Sequence, residues 1–507
     1  VISAYTVDQL RSAERAALVD DRDDAVMRRA AYAVAAVALR MLPRPVPGRR
    51  VVLLVGPGNN GGDALYAGAV LRRRGADVLA VLADPERAHA GGLAAFQRRG
   101  GKLIDATDAM TAAVSALTRA DLIIDGLLGL GARPPLRPTM ARLVLAANAA
   151  PAPVLAIDLP SGIDPDGHRA AEPASEGNGA TPGAEPQSGP ESEPVAVDAA
   201  STITFGAPST GLLLAPQTGR LEIADLGLAP DQRVLPDAIA LDDIDVAFHR
   251  PRLGRDSDKY SSGVVGIVAG SAKYPGAALL CVGAAVSLRP GLVRYAGPQA
   301  AAVVQRWPEV VASDDPVDAG RVQAWVAGPG MGTDGPALRR LNVVLGADVP
   351  VLIDADGLTM LAHNPALLVR RERRSHAPVV LTPHAGEFAR LWPELDLGDR
   401  LTACRAAARQ SDAVVLLKGD RTVIAAPDGR AAVNLTGTPW LASAGTGDVL
   451  AGVIGSLLAA GNTPGGTLDA FTAAVVGAHI HGRAGQRAAA AGKVGAPALW
   501  EYLSAAG

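Results

Sequence analysis

Two short stretches join glycines to a single carboxylate at a spacing that suits an anion or a polar ligand. In LASAGTGDVLAG, residues 441–452, Gly445 and Gly447 precede Asp448 and an apolar run. Glycine lets backbone amides approach closely, and the amides of a helix's first turn have no intrahelical acceptor, so an anion can take their place. Asp448 beside such a loop could draw a proton from a hydroxyl nucleophile. A glycine-bearing helix start with no ligand is the alternative. In VGPGNNGGD, residues 55–63, Gly56, Gly58 and Gly61 form GxGxxG after an apolar run. That pattern suits a dinucleotide, and Asp84 falls about 20 residues on, where a ribose-binding acid is expected. Against it, Asn59 and Asn60 fill the turn, and Asp63 is read at the helix N-terminus, where its charge favours the helix dipole and opposes a pyrophosphate. The readings left are a capped turn and a loop whose amides and carboxamides hold a polar ligand or a monovalent cation.

Other candidates stand at the ends of short apolar runs: Asp125 in IIDGLLGLG, Asp158 and Ser161 in AIDLPSGID, His384 in TPHAGE and Lys418 in LLKGDRTVI. Singly, such residues are turn formers, caps or solvated charges. Their placement is what recommends them. RRVVLLVGP, ADVLAVLAD, DLIIDGLLG and APVLAIDLPSG read as strands, with helical stretches between the first three. GVVGIVAGS, QAWVAGPGMG, PVLIDADG, APVVLTPHAGE and AVVLLKGD repeat the pattern. Both blocks predict βαβ units and parallel sheets, whose ligands bind beyond the carboxyl ends of the strands.

At 507 residues the chain is long enough for two or three domains of ~150 residues. The segment 171–194, rich in Gly, Pro, Ser, Ala and Glu, is expected to be a disordered insertion within the first domain, a domain linker being the alternative. A boundary is expected at 225–245, giving a first domain over 1–225, a linker over 226–240 and a second domain over 241–507. Net charge is −3 and aromatics make up 3%, with no basic run interleaved with rings, which argues against nucleic acid. Cys281 and Cys404 have no CxxC partner and no nearby histidine, which suits a reducing cytoplasm and leaves no disulfide framework or cysteine metal site. The apolar run AAYAVAAVAL breaks at Arg40 after about ten residues, too few to span a bilayer. The expected partners are small molecules, with no nucleic acid and no membrane; a homo-oligomer is compatible with the sequence.

Taken in order, GPGNNGGD, DGLLGLG and DLPSGID, with the opening YTVDQLRSAERAA helix, resemble the epimerase family that acts on hydrated NADH and NADPH, over about residues 1–225. The resemblance implies a Rossmann-like doubly wound sheet. It implies that Asn59, Asn60, Gly61, Gly62 and Asp63 contact the hydrated nucleotide, that Asn60, Asp125 and Ser161 ligate potassium, and that Asp158 contacts substrate. Gly129, Leu130, Gly131, Ala132, Arg133, Pro134 and Pro135 would close over it. Ala64 stands where the family usually has another glycine. At C6, next to the ring nitrogen, reversible ring opening or hydroxide loss can scramble the stereocentre, and a positioned carboxylate as general acid and base is sufficient. Asp125 is the first choice for it and Asp158 the second.

GSAKYPGAALL, AGPGMG, LIDADGL, LTPHAGEFARL, LLKGDRTVI and AGTGD, in order over about residues 241–507, resemble the ribokinase superfamily and, more narrowly, its ADP-dependent NAD(P)H-hydrate dehydratase branch. The resemblance implies a ribokinase-like α/β domain with the hydrate on Ala277, Gly332, His384 and Asp448. Lys418, Gly419, Asp420, Arg421, Thr422 and Gly447 would hold ADP, with Mg2+ as its metal. The implied chemistry is phosphorylation of the C6 hydroxyl, with Asp448 as base, then loss of phosphate to restore the dihydronicotinamide. Two readings compete: a vitamin or sugar kinase fused to a nucleotide-binding regulatory domain, and a first domain that senses or scaffolds without catalysis.

Overall fold

The computed structural model describes residues 1–17, 25–131, 133–167, 195–250, 258–372 and 375–504. The segment 171–194 expected to be disordered, and Ala132, lie outside the described residues. The chain forms two compact units, one over Ser3–Asp237 and the other over Ala238–Gly507 together with Val1 and Ile2. Among the described residues no helix is long and apolar enough to cross a membrane.

The strands of the first block follow β1 (Ile2–Ala4) as β2 (Arg50–Val55), β3 (Asp77–Leu82), β4 (Lys102–Asp105), β5 (Leu122–Gly126), β6 (Val154–Ile157), β7 (Ser201–Phe205) and β8 (Arg220–Ala224). They form one sheet in the order β4-β3-β2-β5-β6-β7-β8, and every pairing is parallel. Period-2 alternation divides β2 between two cores. Val51, Leu53 and Val55 pack with Leu65, Leu71 and Phe96 on one face; Val52 and Leu54 pack with Leu117, Leu143 and Val144 on the other. A sheet covered on both faces reads as a nearly continuous apolar run, as RVVLLV does. Chain order reverses between β2 and β5, so the loops leaving those strands diverge and open a crevice at their carboxyl ends.

The second unit begins inside the segment read as a linker, since β9 (Ala238–Ala240) is already a strand paired with β18. It continues through β10 (Val264–Val268), β11 (Leu292–Ala296), β12 (Val311–Ser313), β13 (Ala324–Ala327), β14 (Val351–Ile353), β15 (Val379–Leu381), β16 (Val414–Leu417), β17 (Thr422–Ala425) and β18 (Ala431–Asn434). The sheet order is β1-β9-β18-β17-β16-β15-β14-β13-β10-β11-β12. Pairing is parallel from β12 to β16 and antiparallel through β17 and β18. Here the chain order reverses between β10 and β13.

The helix Thr446–Gly461 is apolar on nearly every side because it is buried between the sheet and the helix Pro275–Ser287. Gly452 permits that crossing: a Cβ there would run into the Cys281 carbonyl. Gly452→Ala should therefore destabilise the second unit by about 1–3 kcal/mol, read as a lower denaturant midpoint with an unchanged slope. A midpoint equal to that of the unsubstituted chain would show that the two helices can separate freely.

Candidate active sites

In the first unit the motif loops converge where the chain order reverses. The Gly56 amide donates to the Gly126 carbonyl at 3.1 Å, and a Cβ on Gly56 would collide with the Leu127 backbone. Glycine is thus required at the first GxGxxG position by backbone approach between two loops, with no pyrophosphate involved. Helix Asn59–Arg73 starts at Gly58, φ 78°, so Asn59 and Asn60 open the helix and do not fill the turn. Asp63 consequently lies a full turn inside the helix, 8% exposed, rather than at its N-terminus. Its Oδ1 has no hydrogen-bond partner among the described residues, and burial, then the charge of Asp158, push its carboxyl well above the usual range. Asp84, the dinucleotide-style acid, lies 3.9 Å from Arg87 and 3.7 Å from Arg137 in ion pairs.

A cavity of about 930 Å3 opens beside this helix. Asn59, Asn60, Asp63 and Asp158 line it, as do Gly129, Leu130, Gly131, Arg133 and Pro135. Asp158, just after β6, has φ 68°, a left-handed backbone that costs on the order of 1 kcal/mol in a non-glycine residue. Its Oδ2 accepts from the Leu130 amide at 2.8 Å and its Oδ1 from Thr204 Oγ1 at 3.3 Å, so it anchors the segment expected to close over substrate. Burial raises its carboxyl and those two donors oppose the rise.

Asp125, the first choice for acid and base, is fully buried and does not line the cavity. Its Oδ1 accepts from the Leu127 amide at 3.1 Å and Ser161 Oγ at 2.8 Å, and its Oδ2 from the Ser161 amide at 2.8 Å. Burial pushes it up to about 6 against those donors. Of the two aspartates, Asp158 is the one presented to a ligand, which reverses the order of preference. Asp125 instead suits a cation. Asn60 spends its Nδ2 on the Leu128 and Ile157 carbonyls, at 2.8 and 3.2 Å, which leaves Oδ1 as a ligand oxygen. With Ser161 Oγ and the Asp125 carboxylate this is an all-oxygen donor set carrying one negative charge, the chemistry of a hard monovalent cation. Among the described residues no group of three or more His, Cys, Asp or Glu is placed to hold a metal ion.

In the second unit the helix Thr446–Gly461 starts at Gly445, φ 86°, and places Asp448 in its first turn. Lys418, directly after β16, turns inward: its Nζ lies 2.7 Å from Asp354 Oδ1 and 3.9 Å from Glu387 Oε2. A Cβ on Gly447 would sit 3.6 Å from Lys418 Nζ and 3.9 Å from Asp354 Oδ2, so the ammonium faces the glycine loop itself. Burial, then Asp354, push Asp448 up to about 7, with Lys418 pulling the other way and Asp356 adding to the rise. Lys418 to Arg421 form the turn between β16 and β17, held by Arg400 Nη2 on the Leu417 and Lys418 carbonyls at 3.2 Å and by Thr422 Oγ1 on the Gly419 carbonyl at 3.1 Å. Gly332, φ 80°, donates to Asp356 Oδ2 at 2.9 Å, and Ala277 packs against Gly330. His384 caps the helix Ala385–Leu391, its Nδ1 accepting from the Gly386 amide at 3.0 Å, so only its outer edge is left for a ligand.

Asp354, Asp356, Glu387 and Glu14 were not among the expected site residues. Asp354 and Asp356 stand in LIDADGL at the end of β14, and Glu387 completes TPHAGE, so the strand-end rule that selected Asp158 could have found them. Glu14, in the helix Val7–Ala17, lines the first unit's cavity with no local pattern to announce it.

Residues 23–211 match the family described as YjeF-related protein N-terminus, and residues 265–504 match NAD(P)H-hydrate dehydratase. The chain is 47% identical over 460 residues to a protein of Mycobacterium tuberculosis (strain ATCC 25618 / H37Rv) named bifunctional NAD(P)H-hydrate repair enzyme Nnr, covering 90% of this chain and 89% of that one. A protein of the same name from Mycobacterium leprae is 45% identical over 490 residues, covering 96% and 94%. The solved ADP/ATP-dependent NAD(P)H-hydrate dehydratase from Bacillus subtilis, co-crystallised with ATP/Mg2+, is 27% identical over 53% of this chain and 97% of that one, with a TM-score of 0.46.

Asp448 has a consequence for stability. Its folded pKa of about 7 lies above the ordinary 3.8, so ionising it costs the folded state stability as pH rises between those values. Asp448→Asn removes that cost. The substitution should stabilise the ligand-free second unit more at pH ~8 than at pH ~4.5, the difference being roughly 1–3 kcal/mol after solvent screening. Equal gains at both pH values in urea titrations would refute the raised pKa.

Proposed function

The chain belongs to the bifunctional NAD(P)H-hydrate repair enzymes, and we propose from its two sites how each half of the repair is performed. The first unit interconverts the R and S C6 hydrates of NADH and NADPH. The second dehydrates the S form at the expense of a nucleotide. Relatives that match along nine-tenths of the chain favour this reading over a vitamin or sugar kinase fused to a regulatory domain.

The observation that carries the dehydratase half is the Lys418–Asp354 pair against Gly447, with Asp448 in the adjoining helix turn. A C6 hydroxyl is a poor leaving group, and phosphate is a good one. ADP is the proposed phosphoryl donor, its chain lying along Lys418 to Thr422 and its reacting phosphate on the amides at Gly447. Mg2+ arrives on the nucleotide and offsets phosphate charge. Asp448 takes the hydroxyl proton, Lys418 balances charge developing on the transferred group, and Asp354 fixes the ammonium where it is needed. Once phosphate has left, assisted by the ring nitrogen, loss of a proton from the neighbouring carbon restores the dihydronicotinamide.

In the first unit Asp158, on the cavity wall and bonded to Leu130, is the proposed base, with Asn59 to Asp63 and Gly129 to Pro135 around the substrate. Asn60, Asp125 and Ser161 would hold potassium, which would supply a fixed positive charge to that wall of the site. Their role is to keep the loops after β2, β5 and β6 in register.

Mixing the protein with the S hydrate of NADPH, ADP and Mg2+ should restore the near-ultraviolet absorbance of the dihydronicotinamide. Absence of recovery, together with phosphorylation of a hydroxylated vitamin, would overturn the reading. The rate should fall as pH drops below about 7, because a protonated Asp448 cannot act as base. Asp354→Asn removes a negative neighbour, so it should move that acid limb down by roughly one pH unit while lowering the maximal rate. Exchanging potassium for a larger organic cation should slow R-hydrate consumption and leave S-hydrate consumption unchanged; equal slowing of both would refute the assignment of the cation to the first unit.

A further inference from the structure

The first unit's cavity holds a second carboxyl that the epimerase reading uses only as a contact. Asp63 enters it from helix Asn59–Arg73, whereas Asp158 enters from the loop after β6, so the two stand on separate elements of one wall set. Their surroundings differ in kind. Asp158 accepts two hydrogen bonds, from the Leu130 amide and Thr204 Oγ1, which favour its ionised form. Asp63 is 8% exposed, its Oδ1 accepts none, and the charged group that raises it is Asp158; Glu14, Arg87, Arg133 and Arg137 line the same cavity. An ionised carboxylate there would meet desolvation and like charge together, and burial followed by Asp158 raises its carboxyl well above the usual range. Burial raises both carboxyls, but only Asp158 has donors shown to oppose the rise, and two carboxyls in such different surroundings divide acid from base.

We infer that Asp63 is the proton donor of the epimerisation, acting on the C6 hydroxyl opposite the Asp158 base. This rests on the epimerase reading of the unit and deepens it. The C6–O bond breaks with its electron pair going to oxygen, which takes the Asp63 proton and leaves as water, while the ring-nitrogen lone pair forms the C6=N bond. Water then adds to the other face of C6, the C=N pair returns to nitrogen, and the Asp158 carboxylate takes the proton released. The net change is one C6 configuration inverted and one proton moved from Asp63 to Asp158. The enzyme emerges primed for the reverse direction with the two roles exchanged, as an epimerase requires. This route makes solvent the source of the new oxygen, whereas ring opening to an aldehyde keeps the old one.

The test uses the full chain, with the R hydrate of NADPH, ADP, Mg2+ and potassium. Asp63→Asn should lower kcat for R-hydrate consumption, above the spontaneous rate, by about 100-fold or more, with KM changed less than about threefold. S-hydrate dehydration should proceed at the unsubstituted rate, and the melting temperature should hold or rise because a buried carboxyl oxygen without a partner is gone. A kcat within about threefold of the unsubstituted chain overturns the inference, as does a rise in KM alone. If the variant loses its melting transition, the unsubstituted chain in water labelled with heavy oxygen decides: one labelled oxygen per inversion supports the donor role, and retention of the original oxygen overturns it. Failure of the unsubstituted chain to speed R-hydrate consumption at all would instead refute the epimerase reading itself.

Discussion

A carboxylate carried from water into a medium like a protein interior loses hydration worth of order 20 kcal/mol in the idealised limit, more than the net stability of a typical domain. Each buried aspartate in this chain therefore needs donors, a cation or a proton, and the sites are organised by which of these it receives. Asp125 has three donors on its two oxygens. Asp354, 2% exposed, has the Lys418 ammonium at 2.7 Å. Asp63 has no partner on Oδ1 and is held toward the protonated form. Asp448 is intermediate: burial, then Asp354, raise it and Lys418 lowers it, which leaves it near 7.

The second unit gathers these groups at the carboxyl ends of β14 and β16, and the first gathers them where the chain order of its parallel sheet reverses. Adjacent strands there send their loops in opposite directions, so side chains distant in sequence come to one edge without any one loop being long. Asp63 follows β2, Asp125 lies in β5 and Asp158 follows β6, three neighbouring strands of the first sheet, while Asp354 follows β14 and Lys418 follows β16 in the second. The contacts between these loops are close enough to exclude a Cβ at Gly56, and the supporting helix crossing excludes one at Gly452. Glycine in the motifs thus serves backbone packing as much as ligand access.

The strands were legible because a sheet covered on both faces leaves a run such as RVVLLV apolar from its second residue onward. The antiparallel ending of the second sheet was less legible: Lys418 to Arg421 read as a ligand loop but are also the hairpin turn that reverses β16 into β17. Helix starts were the weak point. Asn59 and Asn60 are poor helix formers beside four glycines, yet the helix begins at Asn59, because Asn60 is tied to the Leu128 and Ile157 carbonyls. One turn of error there changed Asp63 from an exposed dipole partner into a buried acid. The site residues missed were those supporting others: Asp354 touches Lys418, and no spacing rule links positions 64 residues apart.

The two reactions differ in what they must overcome, and the units differ accordingly. Epimerisation connects two forms of nearly equal energy, so its catalyst needs no net driving force, only groups that protonate the departing oxygen and accept the proton of the returning water. A buried acid on one element and a hydrogen-bonded carboxylate on another serve the proposed reaction, and no phosphoryl group is transferred there. Dehydration expels hydroxide from carbon, and coupling to a nucleotide makes it effectively one-way. That requires a loop able to face a phosphate, the role proposed for Gly445 and Gly447, and a cation fixed against it, the role proposed for Lys418 held by Asp354 at 2.7 Å. Because the second step drains only the S hydrate, it pulls the first step forward by mass action, and the first unit needs no energy source of its own. Placing the downhill chemistry in one unit and the level chemistry in the other is what allows one chain to clear both epimers with a single nucleotide site.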